Sequence, residues 1–459
     1  MIMKLFVSDR KFYKTILHIA LPTIFQGLIT IGVNLMDTIM LGNYGEIQLS
    51  ASSLAGDFIN IYQILCMGLG GGAMVLTAQY WGSKDILSIK KITSMMFKIA
   101  LVISVCFMGV VYFFPAEILH IYTKDVAVID KGVIYLSVSA ITFPLMAINL
   151  TLSIILQSVR QVRVPLVTAI VSFFVNIFGN WVFIFGNLGM PELQIKGAAI
   201  GTVMARAAEA LVVGIYFFGI DKKIGFRLKD LFLSGKGYYR KYILYSLPVL
   251  CSDALLAFGN SAIAVVMGHI GASFVAANSI ISQMMRVTTV LNQGISRASG
   301  VMVGNVLGTG EKEKAYRQSV TFVALSFLAG IVAAGLVLLA TGPLISLFAV
   351  SEETIQIAYE LANAVAVMMI FQTMQGTLTK GVLRAGGDTT FLLLADAGFL
   401  WLLSIPLGYW VGIVWKLPAF WVYIALRADF VVKTILCCMR LKSRKWIHVL
   451  KEVEMNDSK

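Results

Sequence analysis

The chain has 459 residues, of which 58% are hydrophobic and only 13% charged, with a mean hydropathy of +0.84. A soluble domain is about half apolar and about a quarter charged, so the charge deficit excludes a soluble globular protein and marks an integral membrane protein. The formal net charge of +13 does not mark a nucleic-acid binder, because the basic residues fall between apolar runs rather than on one soluble face.

The apolar stretches are continuous and of helical length. They are not the ten-residue alternations of a transmembrane barrel, so the expected class is all-α. Lys4, Arg10, Lys11 and Lys14 precede the first run, and no small-residue cleavage site follows it. That reads as a first membrane helix with a positive flank rather than a removable signal peptide. Twelve helical spans are predicted, at 16–41, 53–80, 95–114, 132–156, 165–186, 197–219, 242–267, 276–306, 318–340, 356–383, 390–412 and 418–439. Several exceed the length needed to cross a bilayer, so tilting or extension beyond it is expected.

The connections alternate in charge. One set carries Lys84, Lys90 and Lys91, then Arg160 and Arg163, the cluster from Lys222 to Lys241, Lys312 to Arg317, Arg384, and the tail from Arg440 to Lys445. The other holds little more than Lys124, Lys131, Lys196 and Lys416 beside Glu46, Glu117, Glu192, Glu352 and Glu353. The positive-inside rule then places both termini in the cytoplasm of a multi-pass protein of the cell (inner) membrane. The expected organisation is a six-span N-terminal lobe over 1–220, a cytoplasmic linker over 221–241, a six-span C-terminal lobe over 242–440 and a cytoplasmic tail over 441–459.

The two halves repeat each other. At one constant offset, Leu21-Pro22 returns as Leu247-Pro248, Asn34 as Asn260, Gly42 and Gly45 as Gly268 and Gly271, Gly68 as Gly294, and Gly82 as Gly308. Pro, Gly and Asn are the informative identities, since apolar composition alone scatters Leu and Val matches. Two copies of a membrane-embedded half are a usual build of a secondary transporter, with the substrate site between the repeats. Both copies start on the same side, so the expected relation is a pseudo-two-fold axis along the membrane normal.

Acidic residues inside apolar spans are the sharpest functional signal, because they are costly there. Asp37 lies toward the outer end of the first span, and Gln26, Thr30, Asn34 and Asp37 share one helical stripe. Such a stripe faces a cavity or another helix, and Asp37 reads either as an interhelical hydrogen-bonding group or as a carboxylate that binds a proton or a cation. In the fifth span Asn176 and Asn180 are one turn apart, and Thr202 opens the sixth among small residues. The second half offers Asp253, Asn260, Gln283, Gln372 and Gln375, but the repeat mate of Asp37 is Ile263. Arg206 and Glu209 are spaced to neutralise each other. Cys66, Cys106, Cys251, Cys437 and Cys438 lack metal-ligand spacing, as do His18, His120, His269 and His448. The glycines at 68 and 70–72 have no following Gly-Lys-Ser/Thr, so there is no Walker A motif, and no catalytic motif appears. The chain is not expected to be an enzyme.

At LPTIFQGLITIGVNLMDTIMLGNYG, GGAMVLTAQYWGS, LQSVRQVRVP and VNIFGNWVFIFGNLGMPELQIKGAAIGT, with the second-half echoes LPVLCSDALLAFGNSAIAVVMGHIG and VLRAGGDTT, the chain resembles the MATE (multidrug and toxic compound extrusion) family, in particular its bacterial NorM- and DinF-like members. The resemblance spans essentially the whole chain. It implies a V-shaped cleft between two six-helix lobes and a monomeric antiporter that expels small organic cations across the lipid bilayer in exchange for Na⁺ or H⁺, with no other cofactor. It also implies ion coupling at Asp37, Asn176, Asn180 and Thr202, with Asp37, Asn176 and Asn180 as ligands if the ion is Na⁺. Candidate cavity residues are Gln26, Asn34, Asp253, Asn260, Gln283 and Gln372. Some branches carry an acid where this chain has Asn180, and others an acid in the tenth helix where it has Gln372, so the coupling ion stays open. The alternatives are a flippase of a lipid-linked precursor, for which only Arg286 and Arg297 of the eighth span would supply charge, a major-facilitator transporter, whose signature is missing from WGSKDILSIKK, and a membrane scaffold. The topology predicts that a Glu192→Cys variant reacts with an impermeant thiol reagent added outside cells whereas Lys236→Cys does not. The reverse pattern overturns it.

Overall fold

The computed structural model describes residues 6–346, 348 and 350–450; Lys4 and the tail beyond residue 450 lie outside the described residues. All the described secondary structure is helical. In chain order it comprises α1 Arg10–Gly42, α2 Glu46–Gly82, α3 Ile86–Phe113, α4 Pro115–His120, α5 Val126–Ser139, α6 Thr142–Ser158, α7 Arg163–Phe183, α8 Gln194–Ile215, α9 Tyr239–Ile270, α10 Ala272–Gly308, α11 Lys312–Ile345 and α12 Glu352–Gly376, followed by α13 Thr389–Phe399, α14 Ile405–Tyr409, α15 Ala419–Leu426 and α16 Ala428–Ser443. π-Helical turns extend α8 (Tyr216–Ile220) and α12 (Thr377–Leu383) and join α13 to α14 (Leu400–Ser404).

Every one of the twelve predicted spans is helical, as lipid requires of a backbone that has no water to bond. Nine helices are long and apolar enough to cross a membrane among the described residues, and α5 with α6, bent by 53°, makes a tenth. The remaining two are α10, which carries Arg286 and Arg297, and the pair α15–α16, which breaks at Arg427. Helices α2 and α10 each run 37 residues, about 55 Å at 1.5 Å per residue, so their ends project beyond the about 30 Å hydrocarbon core. The turns that follow α1 and α9 use the repeat-related Gly45 (φ +108°) and Gly271 (φ +153°), a backbone region that side chains disfavour.

The helices pack as two compact units: residues 25–77 with 85–246, and residues up to Ile24 with 78–84 and Leu247 onward. The division runs through α1, α2 and α9. In α1 and α9 it falls within a few residues of the repeat-related Pro22 and Pro248, where the helical hydrogen-bond ladder is already interrupted.

In the first unit, Tyr62 of α2 is fully buried, with ring centroids 5.3 Å from Phe107 and 5.1 Å from Phe143. Segment 221–236 is docked rather than loose. Ile224 and Phe226 are buried, and Phe226 packs 5.3 Å from Phe217. The Asp221 carboxylate accepts hydrogen bonds from Gln161 Nε2 (2.7 Å) and from the N–H groups of Lys223, Ile224 and Gly225. Asp230 accepts from Lys90 Nζ (2.8 Å) and the Arg227 N–H (2.9 Å), and Ser94 Oγ donates to the Leu231 carbonyl. Burial pushes the Asp230 carboxyl up, but Lys90 and the Arg227 N–H outweigh it and hold the group below its ordinary range.

In the second unit the end of α2 crosses α10 with backbone against backbone. A Cβ on Gly82 would lie 1.9 Å from the Asn305 carbonyl oxygen, and one on Gly308 would lie 1.8 Å from that of Gln79. These are repeat mates on both sides: Gly82 with Gly308, Gln79 with Asn305. Association in lipid relies on such close packing, since it gains no apolar burial. Asn305 Nδ2 donates to the Ala78 carbonyl at 2.9 Å, and Gln79 Nε2 donates to those of Ala385 (3.0 Å) and His448 (3.2 Å). The chain after α16 is thereby held in place. Trp446 is fully buried against Gly386, the His448 N–H bonds to the Gly386 carbonyl, and the Leu450 N–H donates to Gln79 Oε1.

The same unit contains a buried charge cluster. Lys433 Nζ lies 2.8 Å from Asp429 Oδ2 and 3.4 Å from Asp396 Oδ1, and all three side chains are 1% exposed. Ser252 of α9 and Gln375 of α12 donate to Asp396, and Ser404 donates to Asp429. The cluster ties α9, α12, α13 and α16 together. Removing one partner of a buried ion pair strands the other charge, which costs about 3–5 kcal/mol. Lys433→Met is therefore expected to lower the melting temperature in detergent far more than the exposed substitution Lys314→Met. Equal melting temperatures for the two variants would show that the cluster does not hold the helices.

Candidate functional site

The site forms where α7 and α8 run close enough to touch through glycine. A Cβ on Gly179 would lie 3.0 Å from Gly201 Cα, and one on Gly197 would lie 2.2 Å from the Phe183 carbonyl oxygen. This approach buries Asn176 (1% exposed) and Asn180 (0%) on one face of α7. Asn180 Nδ2 donates to Asp37 Oδ1 of α1 and, at 3.3 Å, to Asn176 Oδ1. Asp37 is half-buried. The structure thus brings Asp37, Asn176 and Asn180 into one hydrogen-bonded cluster, all within the first packing unit.

Asn180 Oδ1 faces Gly201, where a Cβ would come within 2.2 Å of it, and this buried oxygen accepts no hydrogen bond. An unpaired buried acceptor costs free energy, so the amide is held against a bias. Half a turn about its terminal torsion would bring that oxygen round to join Asp37 and Asn176, changing a site occupied by an N–H₂ donor into one lined by oxygens. Carboxylate, amide carbonyl and hydroxyl oxygens are the donor set that hard cations take, and the carboxylate alone accepts a proton. The residues therefore fit either ion as cargo.

Around this core lies a second polar layer. Thr202 Oγ1 and Tyr135 Oη of α5 are 3.5 Å apart. Further along the same face of α8, Arg206 Nη1 bonds both Glu209 oxygens (3.2 and 2.9 Å), as the spacing of the two residues predicts. Asn149 Nδ2 of α6 donates to Glu209 Oε2 at 2.9 Å and takes a bond from Ser153. Tyr135, buried between α5 and α8, and Asn149 escape sequence reasoning. Neither sits on a polar stripe, and a lone Tyr or Asn in an apolar run carries no signal of its partner.

The other predicted residues lie elsewhere. Gln26 is half-buried and Asn34 exposed, and neither side chain bonds to the Asp37 cluster; their backbone carbonyls instead accept from Thr30 and Thr38 of the next turn. Asp253, Asn260, Gln283 and Gln372 belong to the second unit. Asp253 faces Arg384 at 3.6 Å, Asn260 accepts from Arg427 Nη1 at 2.8 Å, Gln283 is exposed, and Gln372 Oε1 is buried without a partner. Hydrogen bonds do not gather these four into one cluster. A second acid of this half, Asp396, is not singled out in the sequence. It is far more buried than Asp253 and is paired to Lys433, a lysine legible in the last apolar run whose partner is not.

Comparison with known proteins converges on one family. The uncharacterised transporter YisQ of Bacillus subtilis is 24% identical over 415 residues, 90% of each chain. The probable multidrug resistance protein NorM of Thermotoga maritima is 23% identical over 437 residues, 94% of this chain and 93% of that one. Among solved structures, a variant of the Vibrio cholerae MATE transporter VcmN superposes with a TM-score of 0.86 at 16% identity, over 94% of this chain and 97% of the other, so the fold is the twelve-helix fold of MATE transporters. The MatE family model matches residues 22–182 and again 248–410, beginning in each copy at the repeat-related prolines Pro22 and Pro248. With both copies of the repeat matched and the whole fold shared, the chain belongs to the MatE family of membrane transporters.

Proposed function

We propose that the protein is a secondary antiporter that exports small organic cations in exchange for H⁺ or Na⁺, with Asp37 as the group on which the coupling ion acts. The observation that carries this reading is the Asp37–Asn180–Asn176 cluster, in which a lone membrane carboxylate meets two buried amides, one with an unsatisfied oxygen. The relatives' names support the substrate class, as one is a probable multidrug resistance protein.

A carboxylate inside a membrane is costly when ionised and unpartnered. Asp37 therefore favours either contact with water and an organic cation or neutralisation by a small ion. A proton neutralises it directly. Na⁺ neutralises it through Asp37 and the carbonyl oxygens of Asn176 and of a rotated Asn180, with Thr202 as the nearest hydroxyl on α8. If the two neutralised and ionised states prefer different arrangements of α1, ion binding shifts their populations and expels the outgoing cation. Asn180 is neutral, so the cluster neutralises one positive charge per cycle.

Asp37→Asn is expected to retain drug binding and to lose gradient-driven efflux from vesicles, whereas Asp253→Asn retains coupling. Imposing Na⁺ and H⁺ gradients separately identifies the ion. Wild-type efflux by Asp37→Asn under either gradient removes Asp37 from the coupling step. Asn180→Asp places a second carboxylate beside the first, so two monovalent cations are needed to neutralise the ionised cluster. That variant is expected to take up two monovalent cations per cycle, read as a steeper dependence of efflux on the imposed gradient. An unchanged slope would place ion binding elsewhere.

A further inference from the structure

Segment 220–241, between α8 and α9, has an unequal distribution of charge between its two faces. Its only acids, Asp221 and Asp230, are both 8% exposed and are used internally, Asp221 on Gln161 and three backbone N–H groups, Asp230 on Lys90 and the Arg227 N–H. Lys222, Lys223, Arg227, Lys229, Lys236 and Arg240 are all exposed. Among these cations stand apolar side chains left uncovered: Leu228 is 63% exposed and Phe232 85%. The turn that carries them, Leu228–Phe232, is anchored from behind by Lys90 and Ser94 of α3, so the exposed side is a fixed surface.

Other basic connections on the same side of the repeat differ. Around residues 311–314, Glu311 pairs with Lys314 at 3.1 Å and Glu313 with Arg444 at 2.7 Å, and Arg440 is matched by Asp388 at 2.6 Å. There Glu311 and Glu313 remain at the surface and offset the bases, and the buried Asp388 is spent on Arg440. In segment 220–241 neither acid remains at the surface.

We propose that this surface binds the anionic headgroups of phospholipids, with Phe232 and Leu228 inserted at the headgroup boundary. The segment begins and ends on membrane spans, which holds it at the bilayer surface. Clustered Lys and Arg next to a span attract anionic lipid, and aromatic and aliphatic tips among cations suit the interface between headgroups and chains. An acidic peptide or nucleic acid would match the charge but would leave Phe232 and Leu228 in water. The partner that satisfies both is a lipid with a phosphate-bearing headgroup and acyl chains.

The test uses the full chain reconstituted in phosphatidylcholine containing a minority of phosphatidylglycerol. After gentle detergent release, retained lipids are counted by native mass spectrometry. Phosphatidylglycerol is expected to be enriched over its share of the bilayer. The Lys222→Gln/Lys223→Gln/Arg227→Gln/Lys229→Gln variant should lose more than about tenfold of that enrichment, at about fivefold per charge as an upper scale. Removing the bases Lys312, Lys314, Lys442 and Lys445 in the same way should leave it unchanged. Raising salt should weaken the enrichment in the wild type, and Phe232→Ser should reduce it with every charge intact; these two measurements decide the matter even if the four-site variant does not fold. Absence of enrichment in the wild type, equal loss in both four-site variants, or insensitivity to salt overturns the proposal. So does equal enrichment in Phe232→Ser accompanied by competition from inorganic phosphate, which would assign the surface to a free anion.

Discussion

The backbone crossing at Gly82 and Gly308 is the constraint on which much of the second unit depends. Two helix ends with carbonyl oxygens within 2 Å of where a Cβ would stand admit no residue but glycine, and once they meet, the side chains one turn earlier are set. Gln79 and Asn305 can then reach only backbone. Each reads the other half: Asn305 bonds to Ala78, while Gln79 spans Ala385, His448 and Leu450. Duplication explains why the same position carries glycine twice. A crossing built from two equivalent helices constrains both by the same contact.

Symmetry of scaffold does not extend to chemistry. Asp37 belongs to the hydrogen-bonded amide cluster of the first unit, whereas its mate Ile263 is 1% exposed within a wholly apolar cluster of Met267, Phe274, Leu361 and Met369. The second unit pairs its acids with bases, as Arg206–Glu209 and Lys90–Asp230 do in the first. Lys433 sits between two aspartates, Asp253 faces Arg384, and Arg440 clasps Asp388. In the first unit Asp37 is hydrogen-bonded by an amide rather than ion-paired with a base, as the proposed exchange requires. In the other the carboxylates have built-in cations, which leave little for a mobile ion to do. This difference is the physical ground, apart from family likeness, on which we propose exchange chemistry at Asp37.

Much of this was legible in the residues, and the remainder failed for one reason. Periodicity reports which face of a helix is polar but not what meets it. The four-residue spacings of Asn176–Asn180 and the three-residue spacing of Arg206–Glu209 predict neighbours on a single helix, and both pairs form. The stripe from Gln26 to Asp37 predicts a shared face, yet of its four side chains Asp37 is the one hydrogen-bonded to another helix, because α7 approaches α1 near its C-terminal end. Asp396 and Lys433 lie 37 positions apart on different helices, and no local pattern links them. The docked segment 221–236 reads as a polar linker because its two decisive aspartates bind backbone and long-range partners, whereas its cations, the conspicuous part, contact little.

The membership of α1 in both packing units has a consequence for how the chain is made. Its residues up to Ile24 pack with elements beyond Leu247, and those from Phe25 onward with the first unit. A ribosome synthesising from the N-terminus delivers that first stretch long before its partners exist. Val7, whose N–H bonds Thr321 Oγ1, and Phe12, stacked edge-on to Phe322 at 5.4 Å, must wait for α11. The first unit can close early on its own helices, but the start of α1 cannot be seated until α11 is made. A chain truncated after the first half would retain a nearly complete first unit and a helix whose leading turns have nothing to hold.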